Sequence, residues 1–159
     1  MSYPRIFNTY PEACTGCRIC EMVCSLHHEK TGINPKRSMI RILDVSEKGI
    51  YIPTICRLCK NAPCVEACPS LALSQDTKTG IIHVDEEKCN GCGLCMEACK
   101  FGAISLHPEK DIAVVCDLCG GEPKCVKYCM QKVLVFLKPE VYALRKAEHH
   151  WEKAEDGQV

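Results

Sequence analysis

The sequence predicts an α+β protein in which short strands and short helices surround clustered cysteines, followed by one longer C-terminal helix. The chain has 159 residues, which fits one domain or two very small ones. Its 16 cysteines fall into four compact groups, and short apolar, β-branched runs lead into some of them. Residues 139–159 contain no cysteine and carry apolar residues at helical spacing.

The overall composition excludes several classes of partner. The chain has 20 basic and 20 acidic residues, so no net charge attracts nucleic acid or a membrane surface. Its N-terminus, "MSYPRIFNTYPEAC", has no apolar run for secretion, and no stretch approaches the roughly 20 apolar residues that span a bilayer. We expect a cytoplasmic protein with no nucleic-acid partner and no membrane segment. A chain exported together with a signal-bearing partner would have the same features.

The cysteines are better candidates for metal ligands than for disulfides, because disulfides are rare in a reducing compartment. The first and third groups follow C-x2-C-x2-C-x3-C, the bacterial ferredoxin spacing for [4Fe-4S] clusters. In the second and fourth groups the middle gap is stretched to four and five residues. The four groups are Cys14, Cys17, Cys20, Cys24; Cys56, Cys59, Cys64, Cys68; Cys89, Cys92, Cys95, Cys99; and Cys116, Cys119, Cys125, Cys129.

The last cysteine of each group is set apart by three residues. In a helix this i to i+4 step places two thiols on one face, with Cβ atoms roughly 5–6 Å apart. Cys20 and Cys24 could therefore hold two different clusters close to each other. Closely spaced clusters in a protein shell form a path for single electrons. Structural zinc, the other use of paired C-x2-C motifs, fits these compact quartets less well.

The pairing of the groups follows from the stretch between Cys64 and Leu106. This stretch contains Cys68–Pro69, a turn at "TKTG" and the apolar run "GIIHVD", and it resembles the core of a two-cluster ferredoxin. Groups two and three therefore pair, which leaves groups one and four. Sequential pairing of one with two and three with four is the rival. The predicted ligand sets are Cys14, Cys17, Cys20, Cys129 (cluster 1); Cys116, Cys119, Cys125, Cys24 (cluster 2); Cys56, Cys59, Cys64, Cys99 (cluster 3); and Cys89, Cys92, Cys95, Cys68 (cluster 4).

With all sixteen ligand positions filled, residues 3 to about 138 resemble the four-cluster ferredoxin-like electron-transfer subunits of molybdenum and tungsten oxidoreductases, such as dimethyl sulfoxide reductase and formate dehydrogenase. The opening "YPRIFNTYPEACTGCRICEMVCSLHHEK" looks most like the small subunit of tungsten aldehyde oxidoreductase. The chain departs from compact ferredoxins in that only Cys68 is followed by proline.

This resemblance implies a non-catalytic subunit with four [4Fe-4S] clusters. It would carry single electrons between a tungsten- or molybdenum-pterin catalytic subunit, in particular an aldehyde oxidoreductase, and a flavin subunit or ferredoxin-type acceptor. Self-association that extends the chain of clusters is a further hypothesis. The alternative function is a free polyferredoxin, or an electron carrier associated with hydrogenase or formate dehydrogenase. Balanced charge and the long terminal helix favour the dedicated subunit.

We expect a four-cluster ferredoxin-like domain over residues 1–138 and a C-terminal helix and tail over 139–159. One cluster pair would come from 1–35 and 110–138, the other from 53–108, and a hairpin over 39–55 would link them. The spacing of the groups indicates an internal duplication of ferredoxin-like modules. Because metal ligation contributes to folding free energy, the chain without clusters should be largely unfolded.

The terminal helix has two interpretations. Pro139 suits a first helical position, and an apolar stripe follows at Leu144, Ala147, Trp151 and Ala154. The stripe either packs on its own domain or grips a partner subunit, with Trp151 as the anchor.

Charged and histidine side chains inside the cysteine loops are candidates for secondary roles. Arg18, Arg57 and Lys60 would raise cluster potentials, whereas Asp117 and Glu122 would lower them, unless these side chains simply face water. His27 and His28 could be imagined as ligands, but every cluster already has four thiolates, so solvated or hydrogen-bonded roles are favoured.

Overall fold

The computed structural model of the chain describes residues 3–29, 32–45, 47 and 49–155. Its helices are short except for the first and last, and its strands are two to five residues long. In chain order the elements are β1 (Arg5–Asn8), α1 (Ile19–His28), β2 (Arg41–Val45), β3 (Ile50–Thr54), α2 (Pro63–Glu66), β4 (Leu73–Gln75), β5 (Ile82–Val84), α3 (Leu94–Ala98), β6 (Ser105–Leu106), β7 (Ala113–Val114), α4 (Lys124–Lys127), β8 (Leu134–Leu137) and α5 (Pro139–Glu155).

The strands of the described residues form four separate antiparallel pairs rather than one continuous sheet. β1 pairs with β8, with Ile6 opposite Phe136, so the start of the chain lies beside the segment that follows the fourth cysteine group. β4 pairs with β5 and β6 with β7. The runs "GIIHVD" and "DIAVVC", which the sequence predicts as strands, contain β5 and β7.

β2 and β3 form a hairpin within the predicted 39–55 segment. The inner face carries Ile42 opposite Pro53, both buried. The outer face carries Leu43 opposite Ile52, and these side chains are 52% and 37% exposed. The hairpin thus covers part of the core with one apolar face. The described residues leave its other apolar face uncovered.

The molecule has two separate cores of buried side chains, and both contain cysteines as well as aliphatic residues. The first lies around Ile6, Ile40 and Leu58, together with cysteines of groups one and four. The second lies around Leu73 and Ile82, together with cysteines of groups two and three. Cys56 packs against both cores, which makes it a point of contact between the two halves.

Polar contacts also join the two halves. The buried His107 has its Nε2 3.2 Å from Glu29 Oε1, and the guanidinium of Arg37 binds Glu109 at 2.9 Å. Arg5 donates to the carbonyl oxygen of Arg57 at 3.0 Å. These bonds fix the relative position of the two cysteine-bearing halves.

α5 is attached at its first turn and is otherwise exposed as far as Ala147. The ring of Tyr142 stacks on Phe7 with centroids 4.0 Å apart, and its hydroxyl donates to the Asn8 carbonyl at 3.2 Å. Leu144 is 66% exposed. Of the two interpretations of the apolar stripe, packing on its own domain is therefore wrong at Leu144 and Ala147, while the side chains of Trp151 and Ala154 lie outside the described part of the structure.

No helix among the described residues combines the length and the hydropathy that a membrane crossing requires.

Candidate metal centres

The sixteen cysteines line four separate cavities, with four cysteines in each. None of the sixteen forms a disulfide. Every cavity takes three cysteines from one sequence group and the fourth from another. We name the cavities sites 1 to 4: Cys14, Cys17, Cys20 and Cys129 in site 1; Cys24, Cys116, Cys119 and Cys125 in site 2; Cys56, Cys59, Cys64 and Cys99 in site 3; Cys68, Cys89, Cys92 and Cys95 in site 4.

These combinations contain the same residues as the four ligand sets expected from the sequence. Sequential pairing would have placed Cys68 with the first group, whereas the structure places it beside the third. Four converging thiols are the donor set that a [4Fe-4S] cluster requires, so the residues of all four cavities fit this group. Iron binding by each cysteine stays a prediction.

The loop that begins each group turns in the same way. In all four, the second residue after the first cysteine has a left-handed backbone: φ is 67° at Gly16, 47° at Leu58, 67° at Gly91 and 58° at Leu118. A leucine in this region is uncommon and needs support from the surrounding structure. Leu58 and Leu118 are almost completely buried, which supplies that support.

Short helices carry the cysteines that belong to neighbouring sites. Cys20 and Cys24 both lie in α1, and Cys95 in α3 is followed by Cys99 at the end of that helix. α1 packs against α4, and α2 packs against α3. Sites 1 and 2 are therefore joined by one packed helix pair, and sites 3 and 4 by the other.

Backbone N–H groups point at several sulfur atoms. Ala72 N lies 3.3 Å from Cys68 Sγ, and Ala103 N lies 3.4 Å from Cys99 Sγ, each four residues further along the chain. At Cys24 the helix continues, and Met39 N supplies the contact at 3.3 Å instead. Such donors stabilise negative charge on a thiolate and tune a bound cluster.

Burial makes several of these thiolates unfavourable. It raises the pKa of Cys20 to about 12, with a further contribution from Glu21, and the pKa of Cys56 to about 11. Burial also raises the pKa of Cys116 well above its ordinary value. Buried thiolates of this kind are stabilised by a cationic metal, which is consistent with a metal-binding role.

His28 links site 2 to a carboxylate. Its Nε2 is 3.0 Å from Asp117 Oδ1, and its Nδ1 is 2.8 Å from the Cys24 carbonyl oxygen. Asp117, followed by the side chain of Cys24, raises the pKa of His28 to about 11. The possible ligand atoms of His27, His28 and Cys119 all lie within 4.8 Å of one another. The two ring nitrogens of His28, however, already contact Cys24 and Asp117.

Glu21 is a site residue that was not predicted from the sequence, and its side chain is 2% exposed beside Cys20. One of its oxygens accepts the Ile42 N–H at 2.8 Å, and the other lies 3.2 Å from the Arg18 guanidinium. Glu66 and Glu97 come one residue later in groups two and three, and both are exposed. The positions that match Glu21, directly after the third cysteine, hold Val65 and Met96, so this offset was the one signal in the sequence that distinguished Glu21.

Some of the charged side chains inside the cysteine loops form ion pairs, and others do not. Arg18 pairs with Glu21, Asp117 faces His28, and Glu122 lies 3.4 Å from Lys124. In the described part of the chain, Arg57 and Lys60 have no such ion pair. Lys100 and Phe101, which line site 3 together with Arg57, were not considered for this role from the sequence.

Comparison with known proteins identifies the type of domain. Residues 47–138 match the 4Fe-4S dicluster domain, and residues 11–31 match a 4Fe-4S binding domain. The chain is 49% identical to the aliphatic sulfonate oxidoreductase, polyferredoxin-like subunit, of Pyrococcus furiosus, over 75% of this chain and 68% of the relative. It is 32% identical to the electron transport protein HydN of Escherichia coli K12, over 77% of this chain and 81% of the relative.

A solved structure is also similar. The chain superimposes on a chain of the active-site complex BamBC of benzoyl coenzyme A reductase, solved with 1,5-dienoyl-CoA, with a TM-score of 0.54 and 26% identity. The match covers 87% of this chain and 77% of the other. Together with the cysteine cavities, these likenesses assign the protein to the ferredoxin-like 4Fe-4S electron-transfer family that contains the 4Fe-4S dicluster domain.

Proposed function

We propose that the chain holds four [4Fe-4S] clusters, one in each site, and carries single electrons between a catalytic oxidoreductase subunit and an electron acceptor. The observation that carries this proposal is that every cysteine of the chain lines one of four cavities, with four thiols in each. Each cluster supplies one-electron redox chemistry, and the chain's residues hold, space and shield the clusters. The chain itself performs no bond chemistry.

The contacts between the four sites support one order in which electrons would pass through them. Sites 1 and 2 share α1 and α4, and sites 3 and 4 share α2 and α3. Between the pairs, Cys56 of site 3 packs against the core that contains Cys116 of site 2. This favours the order 1, 2, 3, 4.

Exposure supports the same order. Cys17 and Cys92, which belong to sites 1 and 4, are exposed, whereas the other fourteen cysteines are partly or fully buried. In a linear array an end site can exchange electrons directly with another protein, and an inner site can do so where its cavity opens at the surface. The recurring left-handed residue in each loop further supports an internal duplication of one cysteine-binding module.

The catalytic partner would be a tungsten- or molybdenum-pterin subunit, with aldehyde oxidoreductase as the proposed system, and the acceptor a flavin subunit or a ferredoxin-type carrier. The likeness to a polyferredoxin-like subunit of an oxidoreductase and to a chain of the BamBC complex supports a dedicated subunit. The outward apolar face of the β2–β3 hairpin and the exposed part of α5 are suitable surfaces for subunit contacts or for self-association.

The second candidate function is a free polyferredoxin, or a carrier associated with hydrogenase or formate dehydrogenase. The likeness to HydN, named an electron transport protein, favours it. A free carrier would purify alone, whereas a dedicated subunit would bring its catalytic partner.

Elemental analysis of tagged protein, purified without oxygen from its native cells with all co-eluting protein, tests both candidates. About sixteen iron atoms per chain would match four cubes. Tungsten or molybdenum in the same fraction supports the dedicated subunit, and iron alone supports the free carrier. Zinc in place of iron would contradict the cluster assignment.

A further inference from the structure

We propose that the mouth of site 3 is the docking surface for a small acidic electron carrier, a redox protein whose carboxylates surround the exposed edge of its cofactor. We define the site 3 mouth as Arg57, Lys60, Lys100 and Phe101. This inference rests on the proposed function and adds the place and the chemistry by which a separate acceptor is recognised.

The mouth is a continuous surface at the opening of a cysteine cavity. Arg57, Lys100 and Phe101 all line site 3, and Lys60 lies between two further lining residues, Cys59 and Asn61. The Arg57 guanidinium lies over the Phe101 ring, 5.9 Å from its centroid. Phe101 is 49% exposed, and Lys60 and Lys100 are exposed. An exposed aromatic ring is therefore bordered by three cations.

The positive charge of this surface is not neutralised within the described residues. None of the three cations forms an ion pair there, and no carboxylate lines the site 3 cavity. The other sites differ: Arg18 in site 1 is paired with Glu21, Asp117 in site 2 faces His28, and no charged residue lines site 4. The chain has no net charge, so this is a local surplus rather than a general property.

The charge selects the kind of partner. Complementary charges accelerate encounter and fix orientation, and they repel partners of the same sign. The aromatic ring supplies the apolar centre that short-lived charged interfaces still need. Because Cys59 and Cys99 directly precede Lys60 and Lys100 in the chain, a carrier bound to these lysines would lie beside the ligands of site 3.

The test uses the loaded full-length protein and an acidic two-cluster ferredoxin as the probe. The variant K60E/K100E reverses two charges at the mouth. The matched control K127E/K132E reverses two exposed lysines on either side of Cys129, another cysteine that ends its group. Iron content and visible spectra of both variants establish that the clusters are intact before any comparison.

At low ionic strength, we expect the second-order rate constant for electron transfer to the ferredoxin to fall about tenfold or more in K60E/K100E and to change less than about twofold in the control. Added salt should lower the rate constant of the native protein and reduce the difference between the native protein and K60E/K100E. Carbodiimide cross-linking should join ferredoxin carboxylates to Lys60 or Lys100, as read by mass spectrometry. An equal loss in both variants, or cross-links confined to other lysines, would overturn the proposal.

The experiment distinguishes failure of the docking surface from failure of the proposed function. A protein that lacks iron or cannot be reduced contradicts the cluster assignment itself. A protein that is fully loaded and reducible, but whose rate with ferredoxin is unaffected by K60E/K100E, contradicts only the docking surface.

Discussion

His28 Nε2 lies 3.0 Å from Asp117 Oδ1, and this bond joins the helix of the first cysteine group to the loop of the fourth. Asp117 also accepts the Cys119 N–H at 2.8 Å, so one carboxylate holds both the helix and the loop at site 2. The pair is partly exposed, with 16% and 44% of the two side chains accessible, which limits its contribution to stability.

We predict a coupling between these two residues of about 1 kcal/mol in a double-mutant cycle of H28Q, D117N and the double variant. The loaded protein should lose its cluster absorbance about 2–4 °C earlier in each single variant when heated without oxygen. The double variant should lose its cluster absorbance at nearly the same temperature as D117N. Strictly additive shifts would show that the bond does not hold site 2 together.

The ligand sets can be tested by counting iron in cysteine variants. We expect C17A to lose about four iron atoms, C17A/C129A to lose no more, and C17A/C24A to lose about eight, because Cys24 would belong to a second cube. If each group held its own cluster, C17A/C24A would instead lose only one cube. Sequential pairing predicts that C17A/C68A loses a single cube, whereas the proposed sets predict the loss of two.

Removal of the Glu21 side chain should destabilise the loaded protein strongly. E21A leaves the Ile42 N–H without its acceptor and Arg18 without its partner, at a cost of roughly 2–3 kcal/mol for a buried charged hydrogen bond. E66A and E97A remove exposed carboxylates that lie one residue later in groups two and three, and they serve as controls. Denaturation in urea without oxygen should separate E21A from both, and equal midpoints for the three would refute this role.

Gly91 and Gly93 offer a matched pair in the loop of site 4. Both have positive φ, but a Cβ at Gly91 would overlap the backbone oxygen of Asp111, whereas nothing lies within 4 Å of one at Gly93. G91A should therefore displace the β6–β7 turn and lower the iron content by up to about four atoms per chain. G93A should keep its iron and show only the modest cost of backbone strain. Full loading of G91A would contradict the close approach.

Local patterns in the sequence were sufficient to predict the short elements and the thiol groups. The runs "GIIHVD" and "DIAVVC" contain strands, and the cysteine spacing, together with the resemblance of residues 64–106 to a two-cluster ferredoxin core, predicted the combinations of thiols that line each cavity. The signals were strong because the cysteines leave few ways to build four quartets, and because strand propensity and turn residues agree along these segments.

Other features depend on contacts that no local pattern specifies. The pairing of β1 with β8 joins residues more than a hundred positions apart, and the exposed α5 depends on where Tyr142 meets Phe7. Leu58 and Leu118 have left-handed backbones against their own propensity because burial holds them there. Glu21 directly follows the third cysteine of its group, one residue earlier than Glu66 and Glu97, but this offset does not specify its buried contacts with Ile42 and Arg18.

The exposure of Cys17 and Cys92 has a consequence for how the loaded protein would be damaged by air. An oxidant that cannot enter the buried middle of the molecule would attack the two outermost thiolates first. Loss of an end cluster would cut the electron path at that end, while the inner clusters still held the chain folded. Inactivation by oxygen should therefore precede unfolding, and aerated samples would contain proteins that are intact in shape but unable to pass electrons through the whole array.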